Sequence, residues 1–352
     1  MAHDLLSPQL DFAHKPLTVK SPPDFTVIST FSGCGGSSTG YVWAGGKVLL
    51  AVEWDNNAVD CYRANYPDTP VYHGDIAKLS VDDVLERTGL QVGELDIFDG
   101  SPPCQGFSTA GKRQLDDDRN QLFREYTRLL SGLKPKVFVM ENVSGMVKGA
   151  MKPLFVEILT ELKACGYRVS ARLLNAAYLG VPQSRERIIF VGVRDDLGIE
   201  PVHPKPQTKP IPFRVAVRGV PEPLEPHREI KQDWLKAYVR VHPQGKWTTN
   251  RRLYESIKGN SASAQSLLFA SWEKHIGTIV KSEIHVIGIV HPNRHRYLSV
   301  PELMRCSSFP DHYVLLGKRK DRVARLGNSV PPRMMQYIAE CIKRDILRKV
   351  KT

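Results

Sequence analysis

The sequence predicts an α/β protein with a doubly wound sheet in its first half and a smaller, irregular domain in its second half. Between residues 25 and 193, apolar β-branched runs alternate with helical patterns, as they do in βαβ units. After Val193 this periodicity weakens, and proline becomes frequent between residues 201 and 226. A length of 352 residues suits two domains, or one large domain with an insertion.

Strands and helices follow one another in a regular order along the first half. The first predicted strand, residues 25–30, leads into a glycine-rich turn. Further strands are predicted at residues 48–53, 71–74, 95–99, 136–140, 168–174 and 188–193. Helices are predicted at residues 56–66, 120–133 and around 154–162, and again at 300–306 and 332–349.

The net charge of +12 is concentrated in the second half of the chain. Residues 1–193 carry 20 basic and 22 acidic side chains, whereas residues 194–352 carry 29 and 15. A basic region beside a neutral one indicates a polyanion partner, most simply nucleic acid, although a generally basic protein would show the same total. Because no apolar stretch approaches 18 residues and residues 1–24 lack the order of a signal peptide, we expect a cytoplasmic protein with a short polar tail.

The cysteines and histidines do not have the spacing of metal ligands. The six cysteines are far apart and form no Cys-x-x-Cys pair, so neither a zinc site nor a redox dithiol is predicted. Eight of the eleven histidines lie beyond residue 200, where we interpret them as polar surface and nucleic-acid contacts. We therefore expect no metal, and we expect the thiols to be reduced.

The turn after the first strand predicts a cofactor that contains a nucleoside. Gly33-x-Gly35-Gly36 allows the backbone to approach a ligand where a Cβ would clash. Glu53 ends the second strand, where a carboxylate can accept hydrogen bonds from both hydroxyls of a ribose. A dinucleotide fingerprint would have a third glycine at position 38, but this chain has Ser38. S-adenosylmethionine and NAD both stay open at this point.

A nucleophilic cysteine is predicted at Cys104, where the fourth strand leaves the sheet. Pro102 and Pro103 fix the backbone directly before the thiol. A free thiol is only a few per cent ionised at neutral pH, yet it is strongly nucleophilic. The pattern therefore favours a reactive thiol over a buried structural cysteine.

Three further segments place polar groups at the ends of strands. Asp75 follows the third strand and could accept from an adenine amino group or simply cap a helix. Glu141 follows an apolar strand and could hydrogen-bond a ring nitrogen. Arg185 and Arg187 alternate along a predicted strand and could hold a phosphate or a base carbonyl from one face, although a solvated strand end would give the same pattern.

Eight segments in order resemble the motifs of the cytosine-5 DNA methyltransferase family, of the bacterial and phage restriction-modification type, over almost the whole chain. They are Phe31-Ser-Gly-Cys-Gly-Gly36, Glu53-Trp-Asp55, Gly74-Asp-Ile76, Ser101-Pro-Pro-Cys-Gln105, Glu141-Asn-Val143, Gln183-Ser-Arg-Glu-Arg187, Arg296-Tyr-Leu-Ser-Val-Pro-Glu302 and Gly327-Asn-Ser-Val-Pro-Pro332. One departure is Cys306-Ser-Ser-Phe-Pro310, where family members usually have Leu-Gln-Gly before Phe-Pro. This departure affects no predicted catalytic residue.

The resemblance implies a Rossmann-like methyltransferase that moves a methyl group from S-adenosylmethionine to carbon 5 of a flipped-out cytosine in a specific duplex DNA sequence. Cys104 would form a covalent adduct with carbon 6, Glu141 would bind ring N3, and Arg187 together with Arg185 would hold the base carbonyl and a phosphate. The loop of residues 105–118 would close over the base. The implied cofactor-binding residues are Phe31, Gly33, Gly35, Gly36, Glu53, Trp54, Asp75, Ile76, Pro102, Asn328 and Val330.

The resemblance also implies how the chain is divided and what it binds. The implied divisions are an N-terminal tail (1–24), a catalytic and cofactor-binding domain (25–193), a target-recognition domain (194–290) and a segment that returns to the catalytic domain (291–352). Within the recognition domain, residues 244–252 suit contact with phosphates. The implied partners are duplex DNA and a cognate restriction endonuclease, for a monomeric enzyme at the nucleoid of a prokaryotic cytoplasm.

Three other functions stay open from the sequence. The first is methylation of transfer RNA by the same fold, although the Cys-Phe-Thr element typical of that branch is absent. The second is an NAD-dependent oxidoreductase, which would leave Cys104 and the basic half unexplained. The third is a DNA-binding relative without activity, which the presence of Cys104, Glu141 and Arg187 disfavours.

Overall fold

The protein consists of two compact units. The computed structural model describes residues 10–103, 118–147, 151–223, 226–231, 233, 236, 267–282, 288–292 and 296–350. The sheet unit comprises residues 17–175, 186–205 and 334–352, and the second unit comprises residues 1–16, 176–185 and 206–333. These limits differ from the divisions expected at residues 193 and 290, because each unit gathers segments from distant parts of the chain.

Seven strands form the sheet unit, and the apolar β-branched runs of the sequence supply most of them. They are β1 (Phe25–Thr30), β2 (Gly46–Glu53), β3 (Val71–His73), β4 (Ile97–Gly100), β5 (Val137–Val143), β6 (Tyr167–Asn175) and β7 (Glu186–Arg194). The strand order is β3-β2-β1-β4-β5-β7-β6. Neighbours among β1 to β5 are parallel, whereas β7 is antiparallel to both β5 and β6. The predicted Rossmann-like α/β class is confirmed.

This strand order determines where a ligand site can lie. After β3 the chain crosses to the other side of β1 to form β4, so the winding direction reverses between β1 and β4. Open α/β sheets bind ligands outside the carboxyl ends of the strands at such a switch point. Thr30 pairs with Gly100, and Gly100 pairs with Met140, so the segments that follow β1, β4 and β5 leave the sheet at the same edge.

Helices and an apolar core support the sheet. The helices of this unit are α1 (Gly36–Trp43), α2 (Asn56–Asn65), α3 (Val81–Thr88), α4 (Asp118–Leu133) and α5 (Lys152–Ala164), of which α1 and α3 were not predicted. The core joins the inner side chains of β1, β2, β4 and β5 to α3, α4 and α5. The ring of Tyr126 packs against those of Phe98 and Phe138 at centroid distances of 5.0 and 6.5 Å. Such pairs add roughly 0.5–1.5 kcal/mol each beyond the area they bury.

The second unit contains short elements, as its weak periodicity predicts. Its helices are α6 (Phe213–Ala216), α7 (Val300–Cys306) and α8 (Arg319–Asn328), and its parallel strands are β8 (Leu267–Phe269) and β9 (Gly288–Val290). A capping box between Ser299 and Glu302 starts α7. The carboxylate of Glu302 also accepts two hydrogen bonds from Arg296, at 2.8 and 2.9 Å. This pair joins the two ends of the segment Arg296-Tyr-Leu-Ser-Val-Pro-Glu302, one of the eight that resemble the family's motifs.

The N-terminal residues pack against this unit. Phe12 is fully buried, and the carbonyl of Ala13 accepts a hydrogen bond from the Asp311 amide at 2.9 Å. Asp11 lies 3.1 Å from the guanidinium of Arg333. The expectation of a polar tail is therefore wrong for residues 11–14, because Phe12 supplies an apolar anchor that the surrounding charges mask in the sequence.

The last helix begins at Pro332, as predicted, and continues to Val350, one residue beyond the predicted end. It consists of an α-helix (Pro332–Ile342), a π-helical turn (Lys343–Leu347) and a final short helix (Arg348–Val350). In the sheet unit, the ammonium of Lys343 donates to the Ala44 carbonyl at 2.6 Å and to Asp24 at 3.2 Å. Among the described residues, no helix is both long enough and apolar enough to cross a bilayer.

Candidate active site

The turn after β1 has a backbone that few side chains tolerate. Phe31, Gly33 and Gly35 have φ values of 53°, 56° and 96°. A positive φ is an outlier for a bulky residue such as Phe31 and costs on the order of 1–3 kcal/mol, which marks functional segments. A Cβ on Gly33 would meet nothing within 4 Å, so glycine is needed there for its conformation. Because this turn follows the end of β1, it lies at the ligand-binding edge of the sheet.

Glu53 is oriented by backbone amides at the end of β2. One carboxylate oxygen accepts from the Gly33 amide at 2.8 Å, and the other accepts from the Trp54 and Asp55 amides at 2.9 and 3.0 Å. An ionised carboxylate has about four acceptor positions, so it can still accept from a ligand hydroxyl. The same bonds connect the end of β2 to the glycine turn.

Three of the residues implied to bind the cofactor, Trp54, Asp75 and Ile76, differ in their surroundings. The side chain of Trp54 is 77% exposed. Asp75 caps the short 3-10 helix Ile76–Lys78 by accepting from the Ala77 amide at 3.0 Å, which is the alternative role that the sequence left open. Ile76 is 4% exposed and belongs to the apolar core. Only Trp54 therefore offers an open face to a base.

These groups fit S-adenosylmethionine. The glycine turn and Glu53 follow adjacent strands, so a backbone cradle, a carboxylate and an exposed indole occupy one part of the edge. A nucleoside offers hydroxyls to the carboxylate and a flat ring to the indole. Ser38 is fully buried and its hydroxyl accepts from Tyr62 at 2.9 Å, so the third glycine of a dinucleotide fingerprint is replaced by a packed serine.

The segment that leads to Cys104 is held on two sides. Asn142 donates from its side-chain amide to the Pro102 carbonyl at 3.1 Å. Thr30 donates to the backbone carbonyl of Asp99 at 2.9 Å, and a Cβ on Gly100 would lie 2.4 Å from the Thr30 hydroxyl oxygen. Cys104 itself and residues 105–117 lie outside the described residues, so the nucleophile and its closing loop stay predictions.

Asp99 is a buried acid at this site that the sequence analysis missed. It is 3% exposed, and its carboxylate accepts from the hydroxyls of Ser29 and Tyr41 at 2.9 and 3.0 Å. Burial raises the pKa of Asp99 to about 7, and these two hydrogen bonds oppose that rise. The signal that could have found it is a charged residue inside the otherwise apolar strand 97–100.

Glu141 and Arg187 meet at the carboxyl end of β5. A carboxylate oxygen of Glu141 lies 2.7 Å from Nε of Arg187, and the two side chains are only 11% and 14% exposed. The antiparallel register pairs Val143 with Arg187, which makes Glu141 and Arg187 diagonal neighbours across the two strands. Their charge-assisted pair presents an acceptor and a donor together at the site edge.

Arg185 has a different environment. It lies in the second unit at 2% exposure, where its guanidinium donates to the carbonyls of Ile279 and Gly327 at 3.3 and 2.8 Å. The expectation that Arg185 and Arg187 alternate along one strand is wrong, because β7 begins at Glu186. A guanidinium buried against backbone carbonyls favours a structural role for Arg185.

The other two predicted cofactor residues, Asn328 and Val330, also belong to the second unit. Asn328 ends α8, and Val330 is 4% exposed. The preceding Gly327 packs so tightly that a Cβ there would lie 2.5 Å from the Lys281 amide nitrogen. The part that Asn328 and Val330 play in cofactor binding stays a prediction.

A seven-stranded sheet with one antiparallel strand, a glycine turn after β1 and an oriented acid at the end of β2 define a Rossmann-like methyltransferase. The comparisons with known proteins extend this result. Residues 25–344 match the model of the family described as C-5 cytosine-specific DNA methylase. The chain therefore belongs to that family and is an S-adenosylmethionine-dependent enzyme, a DNA (cytosine-5-)-methyltransferase, as its sequence predicts.

Individual relatives agree with this assignment. The chain is 34% identical to the Type II methyltransferase M1.HphI of Haemophilus parahaemolyticus over 90% of this chain and 86% of that protein. It is 30% identical to the Type II methyltransferase M.NgoPII of Neisseria gonorrhoeae over 92% and 96%. A solved E. coli prophage DNA modification methyltransferase has the same fold, with a TM-score of 0.70 at 24% identity, covering 92% of this chain and 99% of that one.

Proposed function

We propose that this enzyme methylates carbon 5 of a cytosine flipped out of a specific duplex DNA sequence, through a covalent adduct at Cys104. The observation that carries the proposal is the Glu141–Arg187 pair at the end of β5. The next residue, Asn142, holds the Pro102 carbonyl, two residues before the thiol. Because β4 and β5 are neighbours, a base that contacts Glu141 would also lie near the end of β4, after which Cys104 follows in the chain.

S-adenosylmethionine would be held by the turn at residues 31–36, by Glu53 and by Trp54. When bound, it supplies an electrophilic methyl group on a sulfonium centre. Asp75, Ile76, Pro102, Asn328 and Val330 are proposed to complete its site. The hydrogen bonds that orient Glu53 before binding reduce the entropy lost when the ribose is fixed.

Cys104 is proposed to make carbon 5 reactive. Carbon 5 is a weak nucleophile because its electrons belong to an aromatic ring. The thiolate would form a bond to carbon 6, and the ring would become an enamine. Its carbon 5 would then bond to the methyl group as the bond between that group and the sulfonium sulfur breaks and leaves its electron pair on sulfur. A base then removes the proton on carbon 5, and the electron pair of that C–H bond expels the thiolate from carbon 6.

Glu141 and Arg187 are proposed to stabilise the ring during this addition. Glu141 would hydrogen-bond ring N3 and the exocyclic amine, where charge changes as the thiolate adds. Arg187 orients the Glu141 carboxylate in the structure and would donate to the base carbonyl. A carboxylate fixed by an arginine does not have to reorganise when the base arrives.

The target atoms are inaccessible inside a stacked duplex, so the base must leave the helix at a cost of a few kcal/mol. We propose that the basic region at residues 194–290 reads the target and binds phosphates. Residues 244–252, the segment suited to phosphate contact, lie outside the described residues. The enzyme is proposed to act as a monomer at the nucleoid, with a cognate endonuclease of the same specificity.

Transfer of a tritiated methyl group into duplex DNA and into transfer RNA tests this function. We expect label in duplex DNA, lost in Cys104→Ser and retained in the control Cys165→Ser. Cys165 is a suitable control because it is half-buried after α5, with its thiol 3.2 Å from the Glu161 carbonyl. Label in transfer RNA alone, or normal turnover by Cys104→Ser, would contradict the proposal.

A further inference from the structure

Asp99 connects the two strands that flank the switch point of the sheet. It lies on β4, and its carboxylate accepts one hydrogen bond from Ser29 of β1 and one from Tyr41 of α1. Its backbone carbonyl accepts a third, from the Thr30 hydroxyl. Phe31 and the glycine turn follow directly after Thr30, and Cys104 follows Asp99 along the chain. One side chain therefore connects the start of the cofactor turn to the stem of the predicted catalytic segment.

The groups around Asp99 do not neutralise it. Within the described part of the chain, Asp99 takes part in no ion pair, and its two side-chain partners are hydroxyls. The titratable groups that act on it from other elements are Glu141 of β5, Tyr62 of α2 and Tyr126 of α4. Glu141 raises the pKa of Asp99 further, in the same direction as burial. A buried carboxyl held in this way gains or loses its proton near neutral pH.

The number of hydrogen bonds that Asp99 can accept depends on its proton. An ionised carboxylate accepts from both hydroxyls, whereas a protonated one must itself donate at one oxygen. Burial and the Asp99 charge raise the pKa of Tyr41, so the phenol keeps its proton and remains a donor. Protonation of Asp99 therefore weakens its connection to β1 or to α1.

We propose that Asp99 is a positioning residue for methyl transfer, and that it aligns the cofactor turn with the Cys104 stem fully only when its carboxyl is ionised. This inference rests on the proposed function and concerns the alignment of its two parts. A misplacement of about 1 Å at a reacting group can lower a rate about 100-fold, so a connection at this position has kinetic consequences.

The test uses Asp99→Asn, which keeps the shape of the side chain and removes its proton equilibrium. We expect kcat for DNA methylation by the wild type to include a rise near pH 7 that the variant lacks. At pH 8, kcat of the variant should be lower by on the order of 10- to 100-fold. KM for DNA should be unchanged, because Asp99 is buried inside the sheet unit and cannot touch DNA.

Asp96→Asn is the matched control. Asp96 precedes β4 at its amino end, is 6% exposed and pairs with Lys136 at 2.7 Å. Its substitution removes a buried carboxylate directly before the same strand, so it should lower stability and retain the rise in kcat near pH 7. If Asp99→Asn also retains that rise and keeps the wild-type kcat, the positioning role is wrong.

A second measurement does not depend on activity. The folded-state pKa of Asp99, about 7, lies above its unfolded value of 3.8, so its contribution to stability is present below about pH 4 and is lost as the pH rises through 7. Between pH 5 and pH 8, the urea midpoint of the wild type should therefore fall relative to that of Asp99→Asn. If the difference between the two urea midpoints does not change with pH, the Asp99 assignment is wrong. If the wild-type enzyme does not methylate duplex DNA, the proposed function is wrong.

Discussion

The two ends of β4 carry carboxylates of similar burial in contrasting surroundings. Asp96, at the amino end, pairs with Lys136 at 2.7 Å and accepts from the Thr26 amide at 2.9 Å. Asp99, at the carboxyl end, is held by the hydroxyls of Ser29 and Tyr41. The charge of Asp96 is neutralised by Lys136, whereas, among the described residues, Asp99 has only hydroxyl partners for its carboxylate.

The two edges of the sheet differ in the same way as the two ends of β4. At the carboxyl edge, Glu53 is held by backbone amides and Glu141 by Arg187, and both remain at the ends of their strands. A parallel sheet brings its strand ends together at one edge, so acids placed there can act on one ligand. The carboxylate at the amino edge stabilises the fold, whereas the two at the carboxyl edge are the ones proposed to serve the reaction.

The largest expected effect is that of Glu141→Gln at the carboxyl edge. The amide retains the shape but loses the charge that balances Arg187 and the charge-assisted bond to the base. We expect the single-turnover rate of methyl transfer to fall by about 100- to 1000-fold. Glu161→Gln in the last turn of α5, at the other edge, is the control and should retain the wild-type rate. If Glu141→Gln and Glu161→Gln transfer methyl groups at equal rates, the proposed difference between the two edges is wrong.

The next effect in size is on cofactor affinity. Glu53→Ala removes the acceptor of three backbone amides and of the proposed ribose bonds. Calorimetry should show S-adenosylmethionine binding weakened by about 1.5–3 kcal/mol, the usual contribution of hydrogen bonds to a charged group. Glu94→Ala removes an exposed carboxylate that accepts from the Gln91 amide, and it should leave the affinity unchanged. Unchanged binding in Glu53→Ala would contradict the proposed cofactor site.

The smallest effect on activity is expected at the amino edge, where the change should appear in stability. Lys136→Met leaves Asp96 without its cation, and the free energy of unfolding should fall by about 1–3 kcal/mol in urea titrations. The rate of methyl transfer per folded molecule should not change. The double variant Lys136→Met with Asp96→Asn should recover part of the loss. A Lys136→Met enzyme with normal stability and a lower rate of methyl transfer would contradict a purely structural role for this pair.

Much of the carboxyl edge could be predicted from the sequence, because strands with apolar β-branched runs end at recognisable residues. Glu53 and Glu141 both follow such runs; in the structure Glu53 ends β2, and Glu141 lies two residues before the end of β5. The alternation of Arg185 and Arg187 placed both on one predicted strand, whereas β7 begins at Glu186 and includes Arg187 but not Arg185. A boundary error of one residue was enough to change the environment of a guanidinium.

Other features depend on tertiary contacts that no local pattern contains. The role of Asp99 follows from Ser29 and Tyr41, which are distant in the sequence and adjacent only in the folded sheet unit. The helix α1 begins at Gly36 inside a segment whose glycines favour a turn. Phe12 anchors an N-terminal segment whose charges resemble those of a solvated tail. In each case packing overrides the local preference of the sequence.

The most direct test of the central claim is covalent capture of Cys104 by a modified base. Fluorine at carbon 5 of cytosine replaces the proton whose removal allows the thiolate to leave. Duplex DNA that carries this base at the target site, incubated with the enzyme and S-adenosylmethionine, should give a protein–DNA complex that survives denaturation. Mass spectrometry should locate the bond at Cys104, and Cys104→Ser should form none. An active wild-type enzyme that leaves no such complex would contradict the account.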